Sequence, residues 1–371
     1  MQIQEYKIAL IGPLPPPSGG MANQTRQLAV LLEKEGVSVE LVQVNAPYRP
    51  RWIGHIKGLR AVFRLLPYLF HLWRAAGRAD LLHVMANSGW SWHLFAAPAV
   101  WIAKLRGKAV VVNYRGGEAD DFFTRAIAQV QPTLRRVDMI IVPSGFLEKV
   151  FANRNFITRI VPNIVDLSRF MPDHTRKRNL AVPHIVVARN LEPLYDNTSA
   201  LKAFRIVREA IPGARLTIAG SGPERVKLEA MAKQLGMADA VVFAGRLDNE
   251  RMPELYREAD IALNPSLADN MPISVLEALA SGVPVVSTNV GGVPFLVEDG
   301  KTALLVPPKD PERMAEAMLR VLSDESLRER LVQSGLNHAR RYSWDSVRNE
   351  LFLAYQLALD GTRLAVTREG R

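Results

Sequence analysis

Short apolar runs alternate with amphipathic stretches along the chain, and this pattern predicts strands separated by helices. In the first half, five β-branched runs are bounded by turn residues or charges: Tyr6–Gly12, Val37–Val44, Asp80–Met85, Ala109–Tyr114 and Met139–Pro143. From Met21 onwards apolar residues recur at helical spacing until Gly36, which is typical of a residue that ends a helix.

The alternation begins again after about residue 165. Six further runs predict strands: His184–Arg189, Ala214–Gly220, Ala240–Gly245, Asp260–Pro265, Val283–Thr288 and Ala303–Pro307. Apolar strands alternating with helices indicate parallel sheets covered on both faces. We therefore predict an α/β protein with two Rossmann-like, doubly wound domains, 1–165 and 166–343. The last helix, within 344–371, is expected to pack back on the first domain. Ligands of such sheets bind beyond the carboxyl ends of the strands, which would face a cleft.

Length and composition limit the class of protein. A chain of 371 residues favours two domains. The absence of cysteine excludes disulfides, thiol catalysis and thiolate metal sites. The start of the chain lacks the signal-peptide pattern, and no stretch of about 18 apolar residues predicts a membrane span. We expect a cytoplasmic protein.

The positive charge is confined to the first half. Residues 1–165 hold 20 Lys and Arg against 10 Asp and Glu, whereas 166–371 hold 27 of each. Within Arg49–Arg78, seven basic and no acidic residues are interleaved with aromatic ones. This favours a helix lying on an anionic membrane surface, peripherally on the inner face of the cell membrane. The alternative is a core-facing helix with a solvated basic side. No nucleic-acid recognition motif accompanies the charge, so no nucleic-acid partner is expected.

Two glycine-containing turns follow predicted strands. Gly19 and Gly20 precede a helix, whose free N–H groups carry positive partial charge and can bind phosphate. Gly220 and Gly222 repeat this arrangement in the second half. In both places an ordinary turn would also explain the glycines. Neither turn is a GxGxxG fingerprint, which argues against a nicotinamide enzyme.

Arg189 follows the first strand of the second domain, where an arginine fork suits a diphosphate. The structural alternative is a salt bridge with Glu192. Further along, Glu277 interrupts an apolar helix expected to begin at Pro272, and a buried carboxylate there needs a partner such as sugar hydroxyls. Asp269 lies in the loop ahead of this helix. The alternative for both acids is capping or pairing with an arginine.

Several classes are excluded by missing motifs. The chain has no Walker loop, kinase signature or His-Glu-x-x-His, and its seven histidines lack metal-ligand spacing. No Asp-x-Asp pair is present to hold a divalent ion at a nucleotide diphosphate, so no essential metal and no cofactor are expected.

These motifs together resemble a known family. The segment Ala214–Leu319, with TIAGSGPE, VVFAGRL, LYREADIALNPS and VLEALASGVPVVSTNVGGVPFLVEDGKTALLVPP, resembles the C-terminal domain of retaining GT-B glycosyltransferases of group 1 (glycosyltransferase family 4). VPNIVD precedes it. The first half resembles the family less strongly, through GGMANQTRQLAVLL and IVPSGFLEKVF.

The resemblance implies the GT-B fold and roles for individual residues. Glu277 would hold the donor ribose, Asp269 the hydroxyls of the donor sugar, Arg189 the diphosphate, and Gly20 the phosphate or the sugar. The predicted donor-binding set is completed by the residues at the helix start and by neighbours of these motifs: Gly19, Gly220, Gly222, Asn270, Met271, Pro272, Ile273 and Tyr195. Asp269, Arg115 and Arg189 are the candidates for catalysis.

Three positions depart from the family pattern. Asp269 stands where the first acid is usually Glu, Tyr195 where a lysine is usual, and Arg115 where a histidine precedes Gly-Gly. Arg115 could supply the phosphate charge that Tyr195 lacks.

The resulting prediction is a retaining transferase. It would move a sugar from a nucleotide-sugar donor to a lipid-linked or glycan acceptor in surface polysaccharide assembly. A catalytically weak nucleotide-sugar binding scaffold of a polysaccharide complex, or a nucleotide-sugar epimerase on the same fold, are the alternatives.

Overall fold

The computed structural model describes residues 3–16, 19–48, 56, 59–173, 175–176, 178–248 and 250–361. The chain divides into two compact units. The first comprises Met1–Pro162 together with Val347–Arg371, and the second Asn163–Ser346.

The first unit is built on a six-stranded parallel sheet. Its strands are Lys7–Gly12 (β1), Ser38–Gln43 (β2), Leu81–Ala86 (β3), Ala109–Tyr114 (β4), Met139–Val142 (β5) and Arg159–Ile160 (β6), in the spatial order β2-β1-β3-β4-β5-β6. Its helices are Gly20–Lys34 (α1), Leu59–Arg78 (α2), Ala97–Leu105 (α3), Ala119–Leu134 (α4) and Gly145–Ala152 (α5). A π-helical turn, Trp92–Ala96, leads into α3.

The second unit repeats the arrangement. Its strands are His184–Val187 (β7), Arg215–Ala219 (β8), Val241–Gly245 (β9), Ile261–Asn264 (β10), Val285–Thr288 (β11) and Leu304–Val306 (β12), in the order β12-β11-β10-β7-β8-β9. Its helices are Asn197–Ala210 (α6), Arg225–Gln234 (α7), Arg251–Arg257 (α8), Ile273–Ala280 (α9), Val293–Leu296 (α10), Pro311–Ser323 (α11) and Glu325–Ala339 (α12).

The last helix, Trp344–Leu359 (α13), returns to the first unit from Val347 onwards. Arg159 pairs with Glu350 at 2.7 Å, and Arg348 pairs with Glu35 at 2.9 Å. The buried Val347, Leu351, Ala354, Tyr355 and Ala358 recur along one side of the helix. This spacing of 3 to 4 residues is the apolar stripe by which a helix packs on a core.

The predicted fold class of two doubly wound parallel sheets is confirmed, and all eleven predicted strands are present. The central strands β3, β4, β7 and β10 are buried at nearly every position, as strands covered on both faces must be. The sequence analysis missed β6, whose two residues are too few to form an apolar run. It also placed the start of α9 one residue early. Pro272 has ψ 115° and caps the helix, which begins at Ile273.

Candidate active site

The neighbouring strands β7 and β10 bring three polar residues of the second unit together at their carboxyl ends. These strands pair in parallel, so Arg189, two residues beyond β7, lies beside Asn264, the last residue of β10. Arg189 Nε donates to Asn264 Oδ1 at 2.8 Å, and its guanidinium pairs with the Asp269 carboxylate. The alternative interpretation of Arg189 as one partner of a salt bridge is therefore observed, with Asp269 as the partner in place of Glu192. The alternative for Asp269, pairing with an arginine, is observed in the same contact.

Asn264 holds the Arg189 guanidinium in place through its own hydrogen bonds. It is buried, its Nδ2 donates to Ser287 Oγ at 2.9 Å, and its Oδ1 also accepts from Ser266 Oγ at 2.8 Å. A buried amide that donates one hydrogen bond and accepts two holds one orientation, because a rotation would leave buried polar atoms unsatisfied. Arg189 is thereby positioned at the strand ends.

Asp269 is held in a low-dielectric environment. Its side chain is 13% exposed, and burial raises the pKa of its carboxyl group, against the opposing effects of Arg189 and the backbone N–H of Asn270. Burial penalises the charged carboxylate, so Asp269 depends on the arginine for its ionised form.

Tyr195 contacts the same arginine. It ends the 3₁₀ turn Pro193–Tyr195, and its ring centroid lies 5.4 Å from the Arg189 guanidinium carbon. The face of an aromatic ring attracts a cation at this distance. The family that the sequence resembles usually has a lysine at this position. This chain has Tyr195 instead, whose ring helps to orient the Arg189 guanidinium.

Glu277 lies in the second turn of α9, between buried apolar neighbours, and is itself half-buried. Burial raises its pKa to about 8, while Tyr256, Arg169 and Arg189 oppose the rise. Tyr256 comes from α8 and donates to the Ser274 carbonyl at 3.1 Å. At neutral pH this carboxyl group is therefore mostly protonated.

The loop from Asp269 to Pro272 is clamped by its neighbours. Gly292 N donates to the Asp269 carbonyl at 2.9 Å, and Asn163 Nδ2 donates to the Met271 carbonyl at 2.7 Å. A Cβ on Gly292 would lie 1.7 Å from the Asn270 carbonyl oxygen, so this glycine is required for the contact. Both Gly291-Gly292 and Asn163 lie within the family motifs of the sequence, but the motifs alone assigned them no role.

Gly220 and Gly222 serve the chain's own packing. A Cβ on Gly220 would lie 1.9 Å from the Arg189 carbonyl oxygen, and one on Gly222 would lie 2.3 Å from that of Leu191. These glycines let the turn after β8 approach the segment that carries Arg189. The structure supports the turn interpretation and leaves their contact with a donor as a prediction.

Gly19 and Gly20, at the start of α1, differ from Gly220 and Gly222 in their packing. Gly20 begins α1 and Gly19 is extended. Among the residues that the structure describes, a Cβ at either position would meet no atom within 4 Å, so the described packing of the first unit does not require glycine here. Close approach of a ligand would be a reason for glycine, and the ligand-contact interpretation stays a prediction.

We therefore expect Gly20→Ala to leave the melting temperature unchanged or slightly raised, because the unfolded chain loses entropy. It should weaken donor binding at least about tenfold by blocking close approach of the ligand. Gly220→Ala is the matched comparison. It should lower stability by about 1–3 kcal/mol through overpacking. Calorimetry of both variants, with and without donor, measures the two effects. Unchanged donor affinity in Gly20→Ala would contradict the assignment.

Arg115 ends a buried hydrogen-bond chain in the first unit. Arg115 Nε donates to Asn113 Oδ1 at 3.1 Å, and Asn113 Nδ2 donates to His83 Nε2 at 3.1 Å. His83 Nδ1 therefore carries the proton and donates to the Tyr355 hydroxyl at 2.7 Å. Burial and the charge of Arg115 lower the pKa of His83 to about 3, so this histidine is neutral.

The hydrogen-bond chain connects α13 to Arg115 and fixes the orientation of the guanidinium. Burial lowers the pKa of Arg115 to about 10, which keeps it cationic at neutral pH. Sequence reasoning missed His83, Asn113 and Tyr355, since they are far apart along the chain and belong to no motif.

The described residues offer no candidate metal site, because no group of three or more of their His, Asp or Glu side chains is arranged to hold a metal ion. The absence of an essential metal stays a prediction.

Two parallel α/β sheets with cations and carboxylates at their carboxyl ends define a nucleotide-binding class of protein. The family model described as glycosyl transferases group 1 matches residues 175–338, and that of Glycosyltransferase Family 4 matches residues 18–169.

Named relatives agree with this assignment. A D-inositol 3-phosphate glycosyltransferase of Actinosynnema mirum is 30% identical over 308 residues, covering 76% of this chain and 74% of the relative. One from Acidothermus cellulolyticus is 36% identical over 224 residues, but this match spans only 56% of this chain and 50% of the relative. The chain belongs to the group 1 glycosyltransferases of family 4, as the sequence motifs predicted.

Solved structures share the GT-B fold. Sucrose-phosphate synthase from Thermosynechococcus elongatus superposes with a TM-score of 0.73 at 20% identity, covering 95% of this chain and 98% of the other. Anabaena HepE in complex with UDP and glucose superposes with a TM-score of 0.74 at 16% identity, covering 95% and 99%.

Proposed function

We propose that this glycosyltransferase is a retaining enzyme that transfers a sugar from a nucleotide-sugar donor to a lipid-linked or polysaccharide-precursor acceptor in surface polysaccharide assembly. The observation that carries the donor assignment is the convergence of Arg189, Asp269 and Glu277 near the carboxyl ends of β7 and β10. A cation for a diphosphate and two carboxylates for hydroxyl groups are the recognition chemistry of such a donor.

The Arg189–Asp269 ion pair suggests how donor binding proceeds. Arg189 exchanges its carboxylate partner for the diphosphate oxygens, and Asp269 then accepts hydrogen bonds from hydroxyls of the donor sugar. As the glycosidic bond breaks, negative charge grows on the leaving diphosphate, which Arg189 stabilises. The acceptor hydroxyl attacks from the same face, and its proton passes to the leaving phosphate. Neither a covalent nucleophile nor an essential metal is part of this proposal.

A thermal-shift screen of nucleoside diphosphates and nucleotide sugars tests the donor assignment. A ligand present at 100 times its Kd stabilises the folded state by about 2.7 kcal/mol. We expect one nucleotide series to raise the melting temperature in the presence of EDTA. No shift with any nucleotide would overturn the proposal. Binding without turnover on any acceptor would favour the scaffold alternative, and a new nucleotide sugar formed without acceptor would favour the epimerase.

Arg115 is proposed as a second cation for the donor phosphates. We expect Arg115→Ala to weaken nucleotide affinity by about tenfold, the size of one charge-assisted hydrogen bond. Isothermal titration with the nucleotide found in the screen checks this, with Arg125→Ala as control, an exposed arginine on α4. Equal affinity in wild type and Arg115→Ala would show that Arg115 has no such role.

Membrane association is proposed for α2. Its described outer side exposes Phe63, Leu66, Phe70 and Trp73 at helical spacing, together with Arg74. Residues 49–55 and 57–58 of the predicted basic segment lie outside the described residues. Among the helices in the described ranges, none combines the length and apolar character that crossing a bilayer requires. The exposed apolar and basic side chains of α2 support the proposal that this helix lies on the inner surface of the cell membrane.

We expect liposomes rich in anionic lipid to sediment the protein at low salt. Phe70→Glu should reduce the bound fraction severalfold, because it removes apolar contact and adds repulsion. Val226→Glu, at an exposed apolar position of the second unit, is the control. If wild-type protein stays in the supernatant at low ionic strength, the membrane assignment fails.

A further inference from the structure

A cavity of about 270 Å³ lies at the carboxyl-terminal edge of the first sheet. The ends of β1, β2 and β3 form its floor. Met21 of α1, Arg64 of α2 and the π-helical turn before α3 form its walls. π-Helical turns are frequent at functional sites. Met21 directly follows Gly19 and Gly20, so the cavity adjoins the predicted contact with the donor.

The lining of the cavity is mostly apolar. It is formed by Ile11, Val44, Val84, Met85, Phe95 and Ala96, among others. The amide of Asn45 is already used, since it accepts from Leu14 N at 2.9 Å and donates to the Leu14 carbonyl at 2.8 Å. A sugar or inositol ring would lose most of its hydrogen bonds to water here, at a cost of a few kcal/mol for each unsatisfied hydroxyl. Ser91 and Arg64 are the other polar residues of the lining. Two further polar side chains are too few for the several hydroxyls of a polyol, so the lining disfavours one.

Arg64 is the cation of this cavity. Its guanidinium lies 4.2 Å from the centroid of the Tyr48 ring, and its Nε is buried. Among the residues that the structure describes, this Nε has no hydrogen-bond partner. The protein therefore satisfies this guanidinium only in part, and a phosphate bound to the guanidinium would supply a charge-assisted hydrogen bond. Apolar walls with one cation fit an apolar group that ends in a phosphate.

The same helix links the cavity to the membrane-facing surface. Arg64 points into the cavity, whereas the neighbouring Phe63 and Leu66 are 42% and 62% exposed. A lipid phosphate held at a membrane surface would meet the exposed side of α2 before it reached the cavity. The volume is slightly below the ~300–1,000 Å³ of whole-ligand pockets, which suits one segment of a long chain.

We propose that this cavity binds the lipid phosphate portion of a lipid-linked acceptor, with the phosphate on Arg64 and the adjoining apolar segment against the strand ends. The attacking hydroxyl belongs to the part of the acceptor beyond this phosphate. This inference rests on the proposed function and deepens it, because it assigns an acceptor site and favours a lipid-linked acceptor over a free polyol phosphate.

The test is isothermal titration of the full chain, without membranes, using three probes: geranyl phosphate, myo-inositol 1-phosphate and inorganic phosphate. We expect geranyl phosphate to bind at least tenfold more tightly than the other two. Arg64→Gln should weaken it at least tenfold, and Ala96→Leu should do so by filling the cavity. Arg125→Gln, at an exposed arginine of α4, should leave the affinity unchanged.

Equal affinity for inositol phosphate and geranyl phosphate would overturn the inference, and so would equal weakening by Arg64→Gln and Arg125→Gln. If Ala96→Leu does not fold, the comparison of the two arginine variants decides. Nucleotide binding is measured on wild type and on Arg64→Gln. If wild type binds nucleotide but not geranyl phosphate, the acceptor site is rejected and the donor function stands. If wild type binds no nucleotide, the proposed donor function is rejected instead.

Discussion

Replacing Arg189 by methionine is expected to lower kcat/KM by at least about 100-fold, the effect of removing one preorganised group that stabilises charge in the transition state. Arg189 is 12% exposed and bonds to Asn264 and Asp269, so it is already oriented at the strand ends. Its loss also leaves the buried Asp269 without its cation. Donor affinity by titration, and kcat/KM with any competent acceptor, measure the effect.

A second ion pair in the same unit provides the control for stability. Arg176 pairs with the buried Asp260 at 2.9 Å and also donates to the carbonyls of Arg257 and Ala259. Removing one partner of a buried pair costs about 3–5 kcal/mol. Arg176→Met and Arg189→Met should therefore both lower the melting temperature. Only Arg189→Met should lose donor affinity at a temperature where both are folded. Equal donor affinity in the two variants would refute a role for Arg189 in binding.

Donor affinity is expected to increase with pH between about 6.5 and 9, and Glu277 is the reason. Its folded-state pKa is about 8, and hydroxyl groups of a ribose donate to the ionised carboxylate. Below this pKa, binding must first remove a proton, so the affinity should rise by up to tenfold for each pH unit and level off above it. A nucleotide sugar is a suitable ligand, because its diphosphate diester does not titrate in this range.

Glu277→Gln separates this effect from other titrations. The variant should bind the donor more weakly and lose the rise in affinity with pH. Wild-type affinity that is flat over this range, or a variant that keeps the same slope, would contradict the role of Glu277.

The same pKa makes a prediction for stability. The folded-state pKa of Glu277 lies above the ordinary value of 4.5. Its contribution to stability is therefore fully present below about pH 4.5 and is lost as the pH rises through about 8. Glutamine cannot ionise. The difference in melting temperature, Glu277→Gln minus wild type, should thus increase from pH 5 to pH 9, although the variant binds the donor poorly. Such a trade of stability for recognition is common at functional sites.

Much of the fold was predictable because it rests on local patterns. Buried parallel strands are continuous apolar runs, and each run ends at a turn residue or a charge that the sequence displays. The two-residue β6 was not predictable, since pairing with β5 alone makes it a strand. The start of α9 was misplaced by one residue for a related reason. Proline is accepted both as the first helical residue and as the cap, and the loop contacts decide between them.

The candidate site was partly predictable. Arg189, Asp269 and Glu277 stood out because charged residues interrupt or directly follow apolar segments, where an unpaired charge is costly. Their mutual contacts did not follow from the sequence. Arg189 and Asp269 are 80 residues apart and meet because β7 and β10 are neighbours, an order that runs of apolar residues do not encode.

By itself, the sequence determined the α/β class, the two series of strands, the family motifs and the candidate acids Asp269 and Glu277, because these depend on residue type and on spacing within one short segment. Only the tertiary structure decided that Tyr195 lies against Arg189, that Gly220 packs on the chain while Gly20 does not, and that Tyr355 reaches Arg115 through His83. Each of these depends on which distant segments lie side by side, and that is set by the packing of the whole unit.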